Sequence, residues 1–247
     1  MKISINPIAL KERILNPINR IVQDCVLILE GDKIKSVATL DAGGIIVYAE
    51  QQIGSNVEAP TSLNIKNINK LASVLNCVID EVADIIVESN HIKYSSNNFK
   101  FKFHLTEDGV ITKPKLKIEK IVNMSYSTSA TLNMADFNAV IKASSYLNTD
   151  VVRLYFYTKL GEERGIYCDI TNRQIANSDS MTIRVSNDFD GDPISKDLIC
   201  DVEHIRRIAV SKNSTLRIYF DNKVGYTVFD VIEEKGYIRY ILPTLAK

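Results

Sequence analysis

Three aspartates alternate around a glycine in Asn187-Asp188-Phe189-Asp190-Gly191-Asp192-Pro193, a run with the look of a calcium loop. An EF-hand loop places its glycine after three ligand positions and a bidentate Glu six residues beyond it. Here that position holds Asp197 and no helix flanks the run, so the spacing favours an acidic surface turn. Cys25, Cys77, Cys168 and Cys200 are scattered through apolar stretches without a C-x-x-C pair. They read as buried free thiols, neither zinc ligands nor a redox motif. His91, His104 and His204 are equally dispersed, and no metal site is expected. No phosphate-binding G-x-x-x-x-G-K-[ST], dinucleotide G-x-G-x-x-G, H-E-x-x-H or G-x-S-x-G occurs. With 30 carboxylates spread along the chain and no nucleophile beside a base, the sequence reads as a non-enzyme that needs no cofactor.

The elements that would position any site alternate between short strands and amphipathic helices. Cys25 to Glu30, Lys35 to Leu40 and Ile45 to Gln51 read as strands, separated by Gly31-Asp32 and by Asp41-Ala42-Gly43-Gly44. Asp84 to Ser89, Ile92 to Ser95 and Phe99 to His104 form a second set, with turns at Ser89-Asn90 and Asn97-Asn98. Four segments carry a helical period. Ile8 to Val22 places Ile14, Leu15, Ile18, Ile21 and Val22 on one side, with Pro17 in its middle expected to kink or split it. Asn67 to Asn76 buries Ile68, Leu71, Ala72 and Leu75; Met134 to Leu147 buries Phe137, Val140, Ile141 and Ser144; Val202 to Val210 buries Val202, Ile205, Ile208 and Ala209.

The order of these elements repeats. The first helix precedes Asp24-Cys25-Val26-Leu27-Ile28, and the third precedes Asp150-Val151-Val152-Arg153-Leu154 at an offset of 126. Ile65, Ile68 and Leu71 map onto Val202, Ile205 and Ile208 at an offset of 137. The 247 residues therefore divide into an N-terminal half, 1–107, and a C-terminal half, 124–247. Between them, 108–123 carries Gly109, Pro114, Lys113, Lys115, Lys117 and Lys120; it reads either as a partly extended connector or as an edge strand whose lysines discourage pairing.

Thirty basic and 30 acidic residues cancel, so no global charge draws the chain to nucleic acid. The distribution is uneven. The four helices and the exit of the last carry eight basic residues (Lys11, Arg13, Arg20, Lys70, Lys142, Arg206, Arg207 and Lys212) against Glu12, Asp136 and Glu203, an excess of five. Helices laid on one face of a sheet would present a positive layer able to hold a phosphate backbone without reading bases. Ordinary solvated helix faces are the competing reading. The N-terminus lacks the apolar core of a signal peptide and no run reaches a membrane span, so an intracellular protein is expected.

Several stretches resemble the DNA sliding clamps, the polymerase processivity factors of the PCNA type, including those of large phages. Thr39-Leu40-Asp41-Ala42-Gly43-Gly44-Ile45 resembles the clamp segment entering the third strand. Glu119-Lys120-Ile121-Val122 with Ser125-Tyr126-Ser127 resembles the end of the interdomain connector, and Met134-Ala135-Asp136-Phe137-Asn138-Ala139-Val140-Ile141 the opening helix of the second repeat. Gly236-Tyr237-Ile238-Arg239-Tyr240-Ile241-Leu242-Pro243 resembles the last strand. The resemblance implies an α+β fold of two tandem repeats, each with two helices on antiparallel sheets. It also implies a homotrimeric ring around double-stranded DNA at the site of replication, in the host cytoplasm for a phage clamp. Arg13, Arg20, Lys66, Lys70, Lys142, Arg206, Arg207 and Lys212 would touch phosphates. Leu40, Ile45, Ile121, Leu242 and Pro243 would line a pocket for short peptides of the DNA polymerase and of an ATP-driven clamp loader; each also fits plain core packing. Edge strands near Leu116 and Met181 would form the subunit interface. The alternative from the same elements is a two-domain viral structural or assembly protein with no DNA role, and behind it an enzyme of unrecognised type.

Overall fold

The computed structural model describes residues 1–40, 44–112, 114, 116–147, 152–175, 177–211, 213–222 and 225–245. The chain divides into two units. Unit 1 comprises residues 1–42, 46–122 and 233–238; unit 2 comprises 43–45, 123–232 and 239–247.

In unit 1, strand β1 (Lys2–Ile5) leads into a helical run of three pieces, Pro7–Leu10, Lys11–Leu15 and Asn16–Asn19, together α1. Asn6 caps it, its side chain accepting from Ala9 N at 2.8 Å, and Pro7 sits where no amide donor is needed. Pro17 does not split the run, which continues unbroken through residues 7–19. Lys11–Leu15 is a π turn, closed by Asn16 N–H donating to Lys11 O five residues back. That wider turn accommodates the residue without an amide hydrogen just where a regular helix would need its bond. Ile14, Leu15 and Ile18 stay fully buried. After α1 come β2 (Cys25–Thr39), β3 (Ile46–Ile65), α2 (Ile68–Leu75), β4 (Ala83–Val87), β5 (His91–Ser95) and β6 (Lys100–His104).

β2 is folded back on itself. Ser36 Oγ donates to Val26 O at 3.0 Å, whereas ten residues of straight strand would span about 33 Å. The reversal falls at Gly31, whose φ of +58° suits glycine. Residues 25–29 then pair with 61–65, and 33–39 with 46–52, so β3 too contributes two separate pairing stretches. Residues 46–52, 33–39, 25–29 and 61–65 thus lie side by side, and the remaining strands form a sheet of order β1-β4-β5-β6. The connecting stretch that the sequence reads as extended ends in a helical turn, α3 (Ile118–Val122).

Unit 2 repeats this plan with β7 (Thr128–Leu132), α4 (Met134–Tyr146), β8 (Arg153–Lys159), β9 (Gly165–Thr171), β10 (Ser180–Ser186), the two-residue β11 (Asp190–Gly191), β12 (Leu198–Asp201), α5 (Val202–Arg206), β13 (Thr215–Phe220), β14 (Tyr226–Glu233) and β15 (Gly236–Pro243). Its first sheet has the order β10-β9-β8-β12, and β7-β13-β14-β15 matches β1-β4-β5-β6 strand for strand. Helix α4 starts 127 residues after Pro7, and both helical runs are 13 residues long. Phe137 on α4 packs on Phe229, centroids 5.9 Å apart, and Phe156 on Phe229 at 6.2 Å, fixing helix to sheet. Helix α5 is shorter than the Val202–Val210 expected. Arg207 and Ile208 close i→i+3 bonds, and the Tyr240 hydroxyl captures Ala209 N at 3.0 Å, stopping the helix while Ile208 remains buried.

Asp230 and Arg239 form a buried bidentate pair at 2.8 and 2.7 Å. Asp230→Asn leaves the guanidinium without its countercharge, a loss of about 3–5 kcal/mol, whereas Asp230→Asn with Arg239→Met recovers much of it; chemical denaturation of the three variants checks this. The thiols divide differently from expectation. Cys25, Cys168 and Cys200 are buried but Cys77, past the end of α2, is exposed. Burial pushes the Cys25 and Cys200 thiols up to about 12 and Cys168 well above its ordinary value. At pH 8 a thiol-specific reagent should therefore titrate one group in the native protein, four after denaturation, and none in native Cys77→Ser.

Candidate nucleic-acid interface

In unit 1 the two helices run antiparallel. Lys11 Nζ donates to Asn76 Oδ1 and Asn19 Nδ2 to Asn69 Oδ1, both at 2.8 Å. At the second of these contacts the chain entering α2 is pinned by Asp24, which accepts from Asn67 N at 2.9 Å, and by Gln23 O, which accepts from Ile68 N at 2.8 Å. Asn67 adopts φ +69° and caps α2 through Lys70 N. These contacts bring the segments bearing Arg20, Lys66 and Lys70 to one end of the helix pair, all three side chains exposed.

Arg13 is not with them. Its Nε pairs with Glu233, Nη1 donates to Gln51 Oε1 at 2.9 Å, and only a quarter of the side chain is exposed. The cause is the π turn: one extra residue in the turn means that seven residues no longer make two helical turns, so Arg13 and Arg20 point differently. Lys11 is likewise engaged, with Glu12 at 2.9 Å as well as Asn76.

In unit 2, Asn133 caps α4 by accepting from Ala135 N at 2.8 Å, and Asp201 caps α5 by accepting from Glu203 N at 2.8 Å. Lys142 projects from α4 into solvent. Arg206 ties the two helices together, bonding Glu203 at 2.5 Å, Ser144 O at 3.1 Å and Ser145 Oγ at 3.2 Å. Arg207 is half-buried and has partners of its own. Lys212 lies outside the described residues. The basic helix residues therefore separate into two groups: Lys66, Lys70 and Lys142, which make no ion pair with a described residue, and Arg13 and Arg206, which brace the structure.

The residues expected to receive peptides divide as well. Ile45, Ile121 and Leu242 are buried at 0%, 3% and 0% exposure, whereas Leu40 and Pro243 are half-buried. Ile45, Leu242 and Pro243 belong to unit 2, Leu40 and Ile121 to unit 1. The acidic turn is structural: Asp188 pairs with Arg164 at 2.5 Å, and Asp190–Gly191 pairs with Ser129 and Thr128. Gly191, at φ +87°, has no room for a Cβ against Ser127 O. Among the described residues, no group of three or more His, Cys, Asp or Glu side chains could hold a metal ion, and no helix is long and apolar enough to cross a membrane.

Two repeats of helix-backed antiparallel sheets in this order are the sliding-clamp fold. No protein-family model matches the sequence, and no curated protein matches it. The fold is nonetheless shared over the whole chain with solved structures. PCNA of A. fulgidus, in a structure with the C-terminal region of FEN-1, superposes with a TM-score of 0.78 at 12% identity, covering 100% of this chain and 98% of that one. A putative DNA polymerase III beta subunit from Eubacterium rectale gives 0.75 at 16% identity, covering 100% of this chain and 66% of that one. PCNA of Entamoeba histolytica gives 0.73 at 14% identity, with 99% and 98% covered.

Arg13→Ala removes the donor to Glu233 and Gln51 and should cost about 1–3 kcal/mol. Lys66→Glu, Lys70→Glu and Lys142→Glu should each stay within about 0.5 kcal/mol of wild type. Urea melts of the four variants separate bracing from surface residues.

Proposed function

We propose that this protein is a DNA sliding clamp: copies join head to tail into a ring around duplex DNA and carry DNA polymerase along it. The observation behind this reading is the duplicated strand order and the two edges it leaves open. In the first half of the chain, residues 46–52 form an outer stretch of their sheet, and the final strand's residues 236–238 join unit 1 beside β3. By the repeat, the counterpart of β15 is β6 and the counterpart of residues 46–52 is β10. Both β6 and β10 end their sheets. The pairing used within the chain can then recur between copies, β6 of one beside β10 of the next. Such a heterologous contact generates a closed ring when its rotation closes, and the reading takes three copies from the resemblance to PCNA. Met181 on β10 is an exposed large apolar residue of the kind such a contact would cover.

Lys66, Lys70 and Lys142 are the exposed side chains this reading offers to phosphates. A small number of phosphate contacts suits a protein that must slide, since every neutralised phosphate adds counterion release and holds the protein in place. Pro243 and Leu40, the half-buried members of the peptide set, are the residues this proposal offers to polymerase and clamp-loader peptides. The chemistry is binding, not catalysis.

Loaded protein should stay on closed circular DNA and leave when the circle is cut. Lys70→Glu with Lys142→Glu should lower retention on circles and flatten the log–log salt dependence by about 1 for each phosphate no longer neutralised. Equal retention on cut and closed DNA, or an unchanged salt slope, contradicts the proposal. Light scattering should give about three times 27.8 kDa, and Met181→Asp should drive the protein toward monomer; a wild-type monomer at micromolar concentration favours the assembly-protein alternative.

A further inference from the structure

A basic and aromatic cluster on the second unit's β13 and β14 is left with donors and no acceptor. Arg217 on β13 faces Asp230 on β14 in strand register, which would ordinarily pair them. Both Asp230 oxygens are instead held by Arg239, at 2.8 and 2.7 Å. Arg239 is the more buried of the two arginines, so it gains most from the carboxylate, and the charge on Arg217 has no carboxylate within ion-pair distance among the described residues. Arg217 stacks on Tyr219, guanidinium carbon 5.5 Å from the ring centroid, and Tyr126 stacks on the same ring at 4.6 Å. Arg217 Nε and Tyr126 Oη are both shielded from solvent without a hydrogen-bond partner. Two shielded donors around one tyrosine ring, beside one surplus positive charge, is an arrangement that costs stability until an acceptor arrives.

We propose that this cluster anchors a carboxylate from an acidic peptide segment of a partner protein, with Arg217 Nε–H and Tyr126 O–H donating to its two oxygens. Arg217 and Tyr126 are themselves half-buried, so a turn of either side chain presents its donor at the surface. A peptide fits better than a nucleic-acid backbone. A phosphate track needs cations at successive phosphates, whereas the positions next to Arg217 and Tyr219 in register are Thr131, Ser129, Val228 and Asp230, none of them a cation. A single carboxylate satisfies two donors and one charge and leaves nothing over. The site is independent of the basic helix faces, so it can hold whether or not the clamp reading does.

The test follows the Arg217 Nε–Hε NMR resonance of the full-length 15N-labelled protein, assigned by its loss in Arg217→Lys. The probes are the peptide N-acetyl-Ala-Glu-Ala-amide, its Gln counterpart and a short DNA duplex. A saturable shift with the Glu peptide, none with the Gln peptide, and affinity weaker by on the order of tenfold in Tyr126→Phe are expected. The thermal midpoint of Tyr126→Phe should not fall, because the lost hydroxyl had no partner. No shift at millimolar Glu peptide, equal shifts with Glu and Gln, or unchanged affinity in Tyr126→Phe overturns the proposal; tighter binding of the duplex overturns it in favour of a phosphate site.

Discussion

Backbone pairing of residues 236–238 beside β3 is the interaction that closes the sheet edge of unit 1, and much of the structure depends on the strand that makes it. Gln52 N donates to Lys235 O at 2.7 Å, and Gly236 lies so close to the Glu50 carbonyl that a Cβ would collide with it. Glycine is required there for proximity, since the backbones of the two strands approach more closely than a side chain allows. The pairing covers the outer stretch formed by residues 46–52, whose backbone groups would otherwise stand open to any passing strand. The same strand goes on through Arg239 to Pro243 as part of unit 2, where Arg239 holds Asp230 and Tyr240 ends α5. One strand thus closes an edge, buries an ion pair and sets a helix terminus.

The two repeats share this plan while using their charges differently. In unit 1 the π turn before Pro17 directs Arg13 to Glu233 and Gln51, leaving Arg20, Lys66 and Lys70 on the surface of the helix pair. In unit 2 it is Arg206 that bridges helix to helix, and Lys142 that stays in solvent. In each unit one arginine, Arg13 or Arg206, braces the helices or their sheet, while lysines such as Lys70 and Lys142 stay exposed. That division follows from chemistry: a guanidinium satisfies several acceptors in fixed directions, and an ammonium remains well hydrated and mobile.

Much of the fold was legible because it rests on local signals. Gly31-Asp32 marks a hairpin inside what is otherwise a continuous run of extended residues, and the apolar spacing of Ile68, Leu71 and Leu75 identifies a helix face. Other features depend on atoms distant in sequence. The fate of Pro17 was decided by a widened turn upstream, which no propensity announces. Nothing local announces that Arg13 pairs with a residue 220 positions away. Cys77 follows the end of α2 and is exposed, a placement that its apolar neighbours in sequence do not announce. Ile45, Ile121 and Leu242 show the converse, since a pocket wall and a core are written with the same residue types and only burial separates them. The Tyr126, Arg217 and Tyr219 cluster had one readable signal, the i, i+2 spacing of Arg217 and Tyr219 on a strand. Asp230 being taken by Arg239 was not readable.

If the open edges of β6 and β10 close copies of this chain into a ring with its helices toward the hole, cryo-electron microscopy of the purified protein will show it. The expected image has three copies around a central opening, with α1, α2, α4 and α5 lining it and β6 of each copy beside β10 of the next. Isolated single copies, or an assembly whose helices face outward, would contradict the clamp reading.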